Sequence, residues 1–265
     1  MPDPYKISVI SPSFNQAGFI ERTIQSVLDQ QVDFPMEYII MDGGSTDGTV
    51  DILEKYSGKL KWFSEKDEGQ ADAVNKGIRQ ASGEIIGWLN SDDLYLPGTL
   101  QKIIDFFSAN PSCQWVIGKC CIIDENDRPI RKGVTAYKNL FLKRFRYNAL
   151  LVENFISQPA VFFRKSAFIS SGYLALERPL AMDYDLWLRL GKQFKPGLIR
   201  DELACFRVHP GAKSKMNAKS QFLEQVDIHK DHDRRSGWLF LHRLNAWKNI
   251  AGYLLIDQTR RFRKT

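Results

Sequence analysis

The chain has 265 residues, of which 43% are hydrophobic, enough to bury one large α/β core or two small ones. It contains no apolar run of about 18 residues and no leader pattern at its start, so we expect neither a transmembrane helix nor a signal peptide and predict a cytoplasmic location. The net charge of +6 is uneven, because residues 207–265 carry 13 Lys and Arg against 5 Asp and Glu. Such a basic segment attracts nucleic acid, nucleotide phosphates or an anionic membrane, and charge alone does not choose among them.

The first 110 residues alternate between β-branched apolar runs and amphipathic stretches. This alternation predicts a mainly parallel, Rossmann-like sheet flanked by helices. The predicted elements are a strand at Ile7 to Ile10, a helix at Phe19 to Gln30, a strand at Glu37 to Met41, a helix at Thr49 to Tyr56, a strand at Lys61 to Ser64, a helix at Gln70 to Ala81, a strand at Glu84 to Leu89 and a helix at Gly98 to Ala109.

Beyond residue 110 the alternation weakens, and we interpret residues 111–215 as an elaboration on the same sheet. Residues 216–265 form a basic extension whose pattern is helical from Trp238 to Arg263. The other predicted elements are a strand at Gln114 to Ile123, a short apolar segment PAVFFRK, a helix around Asp183 to Lys192 and a strand at Leu203 to Val208.

The four cysteines are Cys113, Cys120, Cys121 and Cys205. They show neither C-x-x-C spacing nor a partnered framework. This pattern predicts reduced, buried thiols rather than disulfides or a zinc site.

Two adjacent acids, Asp92 and Asp93, follow the apolar strand that ends at Leu89. The carboxyl ends of parallel strands form the ligand crevice of an open α/β sheet, and paired carboxylates there suit Mg²⁺ or Mn²⁺. The alternative is an ordinary solvated turn, since Asn90, Ser91 and both acids are residues that cap local backbone groups. Polar loops also follow the first two strands, so three loops are expected to converge on one crevice.

The loop DGGSTDGT, residues 42–49, carries two further acids. We favour ligand contact for Asp42, at the strand end, and a helix-capping role for Asp47. A capped βα turn with no ligand is the alternative for both. The sequence has no GxGxxG after a predicted strand, and GAKS at residues 211–214 lacks the upstream strand and glycine of a P-loop, which disfavours dinucleotide oxidoreductases and P-loop kinases.

Seven motifs in order give the chain a resemblance to the family-2 glycosyltransferases of the GT-A fold. The resemblance covers roughly residues 6–215, and the tail beyond matches no family motif. The motifs are SVISPSFNQAGFIERTIQSVLDQ, YIIMDGGSTDGT, DEGQADAVNKGI, WLNSDDLYLPG, SQPAVFFRK, AMDYDLWLRL and FRVHPGAKS.

The resemblance implies that residues 1–110 bind a nucleotide-sugar donor, with a UDP-sugar expected, and that residues 111–215 form the acceptor-binding and catalytic half. It implies Mn²⁺ or Mg²⁺ as cofactor, held by Asp92, Asp93 and His209. Asn90 stands where the family usually has an acid, which predicts weaker metal binding. The implied donor contacts are Pro12, Phe14, Asn15, Asp42, Gly69, Asp72, Asn90, Ser91, Asp92 and Lys213.

By the same resemblance Asp183 is the catalytic base of an inverting single displacement, which removes the proton of the acceptor hydroxyl. The alternative is a helix-terminal acid favoured by the macrodipole. Asp185 points to another face of the helix and is predicted to be structural. Gln158 is placed on the acceptor side, and Trp88, Phe162 and Trp187 are predicted core residues.

Processive synthases of this family usually carry a QxxRW motif and membrane spans, and the sequence shows neither. The resemblance therefore implies non-processive transfer of one sugar to a sugar or lipid-linked sugar in surface polysaccharide assembly. A sugar nucleotidyltransferase is one alternative, although SPSFNQAG lacks the basic residue that a triphosphate loop needs. A catalytically inactive nucleotide-sugar-binding protein is another. A lipid-linked acceptor would give the basic tail and the segment Tyr137 to Tyr147 a peripheral membrane role, against the alternative of a solvated face. No nucleic-acid partner is expected.

Overall fold

The structure is a computed structural model that describes residues 5–233 and 237–262, with side chains described up to residue 251 apart from residues 214 and 215. Its strands form one eight-stranded sheet in the order β3-β2-β1-β4-β7-β6-β8-β5. The strands are β1 (Ile7–Ser13), β2 (Met36–Asp42), β3 (Lys61–Ser64), β4 (Ile85–Trp88), β5 (Leu94–Tyr95), β6 (Trp115–Ile123), β7 (Val161–Arg164) and β8 (Gly197–Arg207).

Helices lie along both faces of this sheet, and a 3₁₀ turn at Gln158–Ala160 precedes β7. The helices are α1 (Ile20–Leu28), α2 (Thr49–Lys55), α3 (Gln70–Gln80), α4 (Thr99–Ala109), α5 (Lys132–Leu142), α6 (Tyr147–Val152), α7 (Lys165–Ser171), α8 (Met182–Gln193), α9 (Lys213–Met216), α10 (Ala218–His232) and α11 (Trp238–Phe262). The last three form the predicted helical extension, although the predicted end at Arg263 lies outside the described residues.

The half of the sheet formed by the N-terminal strands is parallel, as predicted. Strands β3, β2, β1 and β4 pair in parallel, in that order. The other half is mixed: β7 runs antiparallel to β4 and β6, β8 is parallel to β6, and β5 is antiparallel to β8. The α/β prediction is therefore confirmed, with a mixed sheet of which half is doubly wound. Because β7 lies between β4 and β6, the sheet runs without a break through both halves of the chain.

The strand β8 is longer than predicted. It begins at Gly197, where a Cβ would collide with the ring of Phe106, and it continues through the exposed residues 200–202 before the apolar stretch starts. Because residues 200–202 are all charged, the sequence there lacks the alternation of apolar and polar residues that would predict a strand. They are tolerated because β5 pairs with β8 only at residues 204 and 205.

Two buried apolar clusters fill the two faces of the sheet. Trp88 and Trp187 lie in one cluster and Phe162 in the other, all buried as predicted. Helix α3 packs closely on β1, since a Cβ at Gly77 would collide with the side chain of Ile10. Burial on both faces explains why the central strands read as continuous apolar runs.

The prediction that all four cysteines are reduced thiols is wrong for two of them. Cys121 and Cys205 form a disulfide with a Cα–Cα distance of 4.6 Å. They are partners in the register of the parallel strands β6 and β8, which places residues separated by 84 positions side by side. No local spacing in the sequence could signal this pairing. Cys113 and Cys120 are free thiols, and burial raises the pKa of Cys120.

Helices α10 and α11 pack against each other, and α11 also packs on α6. Within the described part of the chain, no helix combines the length and the apolar character needed to cross a membrane. The predicted divisions at residues 110 and 215 stay predictions.

Candidate active site

The loops that follow β1 and β2 are joined at one edge of the sheet. Ser13 and Asp42 are register partners at the ends of these strands. The backbone N–H of Asn15 donates to Ser45 Oγ at 2.7 Å, and Asn15 Oδ1 accepts from the N–H of Thr46 at 2.9 Å. These bonds hold Asn15 at a positive φ of 52° and tie together the two loops that are expected to border the ligand crevice.

Pro12, near the end of β1, and Phe14, just after that strand, differ in exposure. Pro12 is buried in β1, whereas the Phe14 side chain is 60% exposed. An exposed aromatic ring beside a fixed polar loop offers a flat apolar surface on which a nucleobase can stack.

Asp42 lies at the predicted strand end, but its own loop uses its carboxylate. One oxygen accepts from the N–H of Ser45 at 2.8 Å and from Ser64 Oγ at 2.7 Å, and the other accepts from Ser45 Oγ at 2.5 Å. The side chain therefore shapes the loop, and its contact with a ligand stays a prediction. Asp47 is not the N-cap of α2, which is Gly48, but its carboxylate accepts from the N–H and the hydroxyl of Thr49, the first residue of that helix.

Residues 67–72 form the opposite lip of this crevice. Gly69 has a φ of 104°, which favours glycine, and its N–H donates to Asp67 Oδ1 at 2.8 Å. Asp72 accepts from the N–H of Glu68 at 3.2 Å and pairs with Lys76 at 3.1 Å. Asp67 in turn lies against Gly43, so the lip contacts the loop after β2. Both predicted residues help to set this loop, and their donor contact stays a prediction.

Asn90 is held at the end of β4 by two donors. Trp88 Nε1 and Gln70 Nε2 donate to Asn90 Oδ1 at 2.9 and 2.7 Å. The backbone of the turn that follows Asn90 is held by helix α1, because Thr23 Oγ1 donates to the carbonyl oxygens of Ser91 and Asp93, each at 2.9 Å. An acid in place of Asn90 could accept the same two bonds, so the position of this side chain is set by its donors.

The two adjacent acids face in different directions. Asp93 is fully buried, and its Oδ1 accepts from the backbone N–H of Arg207 at 2.8 Å. Burial and the neighbouring charge of Asp92 raise the pKa of Asp93 well above its ordinary value, against the opposing effect of Arg207. Asp92 is partly exposed, and its Oδ2 lies 3.1 Å from Nε2 of His209.

The three predicted metal ligands therefore do not meet as one group. Within residues 5–233 and 237–251, no three His, Cys, Asp or Glu side chains are placed to hold a metal ion. Asp92 and His209 remain together, and a carboxylate oxygen with an imidazole nitrogen fits Mn²⁺ better than the harder Mg²⁺. A cation held by two protein ligands leaves its other positions for diphosphate oxygens. Asp93 as a direct ligand stays a prediction.

His209 is fixed by packing as well as by Asp92. It is buried, and its ring centroid lies 4.3 Å from that of Phe19. Four residues later Lys213 begins α9. Its side chain reaches solvent, yet the surrounding protein lowers the pKa of its ammonium by desolvation, against an opposing effect of Glu224.

Arg207 is a residue of this site that we did not predict from the sequence. It is fully buried, its Nε donates to the carbonyl oxygen of Asp92 at 2.6 Å, and its guanidinium pairs with Asp127. Arg207 therefore contacts both acids: its side chain binds the backbone carbonyl of Asp92, and its backbone N–H binds the carboxylate of Asp93. These two contacts fix the turn with the acids facing in different directions. The only sequence signal was a charged residue in an apolar strand two positions before His209.

Asp183 lies in the first turn of α8. Burial raises the pKa of its carboxyl, against the N–H of Tyr184 and the charge of Lys138, which lower it. Glu224 holds the start of this helix by accepting from the N–H groups of Leu180 and Ala181 at 3.0 and 2.7 Å. A carboxylate with a raised pKa at a fixed helix start is suited to proton abstraction.

A chain of contacts leads from Asp183 to the end of β4. Lys138, whose charge acts on Asp183, lies 3.5 Å from Ser157 Oγ, and the next residue, Gln158, donates to the carbonyl oxygen of Trp88. Gln158 Oε1 is buried and has no partner. Among the described residues no hydrogen bond joins Asp183 directly to Asp92.

Asp185, two positions further along α8, has the predicted structural role. It accepts from Arg189 Nε at 2.9 Å and lies 3.1 Å from His232 Nε2. Burial acts to raise its pKa, but the hydrogen bond with His232 and the charge of Arg189 outweigh it and lower the pKa.

The sequence profile described as Glycosyl transferase family 2 matches residues 8–171. The chain is 35% identical over 139 residues to a putative teichuronic acid biosynthesis glycosyltransferase, TuaG of Bacillus subtilis, a match that covers 51% of this chain and 54% of that protein. It spans about half the length of the curated relatives that it matches.

Two solved structures share the fold. Mannosyltransferase PcManGT from Pyrobaculum calidifontis, in complex with GDP-Man and Mn²⁺, has a TM-score of 0.69 at 21% identity, covering 98% of this chain and 77% of that one. TarS 1-349 of S. aureus, in complex with UDP-GlcNAc, has a TM-score of 0.63 at 20% identity, covering 86% and 71%. The fold is therefore of the GT-A type, as predicted.

Proposed function

The chain belongs to glycosyl transferase family 2, and we propose that it moves a single sugar from a nucleotide-diphosphate sugar to an acceptor hydroxyl, with inversion at the anomeric carbon. The observation that carries this proposal is the pairing of Asp92 with His209 at the carboxyl end of β4, beside the crevice formed by the loops after β1 and β2. Parallel sheets bind their ligands at this edge.

We place the nucleoside, with uridine proposed, in that crevice. Phe14 offers its exposed ring to the base, while Asn15 and Asp42 present the polar side of the loops. Gly69 and Asp72 form the lip that covers it. The neighbours that hold UDP-GlcNAc and GDP-Man support a nucleotide-sugar donor without choosing the base.

Asp92 and His209 would hold Mn²⁺ or Mg²⁺, with Asp93 and Arg207 fixing the turn behind them. Such a cation, when bound, neutralises the charge that develops on the leaving diphosphate. Lys213, four residues after His209 at the start of α9, adds a positive charge. The Mn²⁺ in the PcManGT complex supports metal use in this fold.

Asp183 takes the proton of the acceptor hydroxyl as that oxygen attacks the anomeric carbon. The bond from that carbon to the diphosphate oxygen breaks on the opposite face, so the nucleoside diphosphate leaves with the electron pair and the configuration inverts. The raised pKa of Asp183 makes it a stronger base than an ordinary aspartate. We assign Gln158, whose buried Oε1 has no hydrogen-bond partner, to the acceptor side.

We propose cell-surface polysaccharide or lipid-linked oligosaccharide assembly on the cytoplasmic face of the plasma membrane as the setting. The support is the similarity to TuaG, whose name states teichuronic acid biosynthesis. The acceptor would then be a sugar or a lipid-linked sugar.

Release of free nucleoside diphosphate from UDP-, GDP- and dTDP-sugars, with Mn²⁺ and with EDTA, tests the proposal. We expect one donor to be consumed in a metal-dependent way. Asp92→Asn should lower that rate roughly a hundredfold, because it removes the charged ligand. Asp105→Asn, an exposed acid on α4, is the matched control and should leave the rate unchanged. Release that is indifferent to EDTA and to Asp92→Asn would contradict the proposed metal site.

A further inference from the structure

Helix α11 has two apolar faces, and only one of them is packed. His242, Ala246 and Ile250 are buried against the body of the protein. Another row stands in solvent: Phe240 is 66% exposed, Leu244 53% and Trp247 63%. Residues spaced by four and three positions lie on one side of a helix, so these three side chains form a continuous exposed stripe.

Helix α5 carries a second exposed stripe. Val134, Tyr137 and Leu140, spaced by three positions, are 46%, 41% and 64% exposed. The two helices are neighbours at this point, because Nζ of Lys248 on α11 lies 5.5 Å from the centroid of the Tyr137 ring. We call the six apolar side chains of these stripes the α5/α11 surface: Val134, Tyr137, Leu140, Phe240, Leu244 and Trp247.

The charge around this surface is mainly positive, and one acid lies on it, since the Tyr137 hydroxyl donates to the Glu153 carboxylate at 3.4 Å. Residues 128–152 and 238–251 together contain nine Lys or Arg and no Asp or Glu. Lys143 and Arg144 are exposed at the end of α5, and Arg243 and Lys248 are exposed on α11. The carboxylate of Glu153, the next acid along the chain, accepts a hydrogen bond from Asn245 Nδ2 at 2.6 Å.

We propose that the α5/α11 surface binds the interface of an anionic phospholipid bilayer. Exposed Trp, Phe and Leu beside Lys and Arg are the chemistry of an interfacial helix, in which the apolar side chains enter the boundary of the acyl chains and the cations contact phosphate headgroups. A second copy of this chain fits the surface poorly, since a symmetric contact would bring two sets of these cations together. The surface goes beyond the proposed transfer reaction and does not depend on it.

Co-sedimentation of the full chain with vesicles tests this surface without any assay of activity. The vesicles are phosphatidylcholine alone or phosphatidylcholine mixed with phosphatidylglycerol. We expect binding to the anionic vesicles, weak binding to the neutral ones, and a loss of binding at high salt because exposed charges are screened.

Two variants locate the contact on the protein. Phe240→Ser with Trp247→Ser removes exposed apolar groups, and Lys143→Glu with Arg144→Glu reverses exposed charges. Each pair should lower the partition coefficient on anionic vesicles on the order of tenfold or more. The matched controls are Ile169→Ser, an exposed apolar side chain on α7, and Lys59→Glu, an exposed lysine after α2, and both should bind as the parent does. Circular dichroism checks that every variant is folded.

Three results would overturn the proposal. The first is equal binding of the parent and both paired variants, and the second is equal binding to neutral and anionic vesicles. The third is that the parent does not bind vesicles but self-associates in sedimentation velocity, and that the pair Phe240→Ser with Trp247→Ser abolishes this self-association. The last result would assign the surface to a second copy of the chain.

Discussion

Carboxyl groups surrounded by protein occur on both sides of the fold, near the amino ends of the strands and near their carboxyl ends, and their pKa values are shifted in opposite directions. At the amino ends of the strands Glu37 accepts from Ser8 Oγ at 2.7 Å, Lys61 Nζ at 2.8 Å and the N–H of Ser82 at 2.9 Å. Burial acts to raise its pKa, but the hydrogen bonds from Lys61, Ser82 and Ser8 outweigh it and lower the pKa to about 2.

Asp93, after the carboxyl end of β4, and Asp183, at the start of α8, have fewer donors. Burial raises the pKa of both Asp93 and Asp183, and the bonds that they accept do not compensate. Burial alone therefore does not decide the charge of a carboxyl group; the number of donors that face it does. Asp93 lies behind the turn that carries Asp92, whereas at Asp183, the proposed base, a bound acceptor hydroxyl can provide the missing donor.

The largest effect is expected from Asp183→Asn. The variant has no basic oxygen to take the acceptor proton, so kcat should fall on the order of 10³-fold while nucleotide affinity stays unchanged. Asp185→Asn is the matched control on the same helix. It should lose stability, because it weakens the pairs with Arg189 and His232, but it should retain most of kcat.

Steady-state kinetics with the donor that the release assay selects, together with nucleotide titration, separates the two variants. A loss of kcat that is equal in Asp183→Asn and Asp185→Asn would assign both acids to the integrity of α8 and remove Asp183 from the reaction.

Glu37→Gln probes the opposite edge. The substitution removes a charge that three groups stabilise, so the free energy of unfolding at neutral pH should fall by about 2 kcal/mol, a figure reduced for solvent screening of the exposed Lys61. Urea unfolding at neutral pH measures it. Activity per folded molecule should not change, and a fall in kcat as large as that of Asp183→Asn would contradict the separation of the two edges.

The smallest effect is a difference between two pH profiles. The folded-state pKa of Glu37 is lowered from 4.5 to about 2, so its contribution to stability is complete above pH 4.5 and is lost as the pH falls from 4.5 to about 2. Asp183 acts as a base only when ionised, and its raised pKa makes activity fall at a higher pH than that of an ordinary aspartate. On acidification, kcat/KM should therefore decline before the free energy of unfolding does. Coincident profiles would show that activity is lost only by unfolding.

The parallel half of the fold was accessible from the sequence because its signals are local. Strand β3 was predicted at its observed bounds, and helices α1 to α4 begin and end within two residues of their predicted limits. The convergence of the loops after β1, β2 and β4 followed from parallel pairing alone. Periodicity and strand-end chemistry were sufficient there.

The remaining features depend on contacts between distant residues. The inward turn of Asp93 requires the N–H of Arg207, which is 114 positions away, and the disulfide requires the register of β6 against β8. Asp42 looked free at its strand end, but Ser64 on the neighbouring β3 occupies it. These partners are set by tertiary pairing, so no local pattern of residue types could reveal them.

The disulfide between Cys121 and Cys205 turns the segment between them into a covalent ring. That ring contains helices α5 to α8 and therefore includes Asp183. A protease that cuts once anywhere in residues 122–204 opens the ring but releases no fragment, because the two pieces stay joined through sulfur. When the cut falls between residues 122 and 182, the proposed catalytic base and the acidic turn after β4 lie on different pieces, and only reduction of that bond ends the covalent link between them.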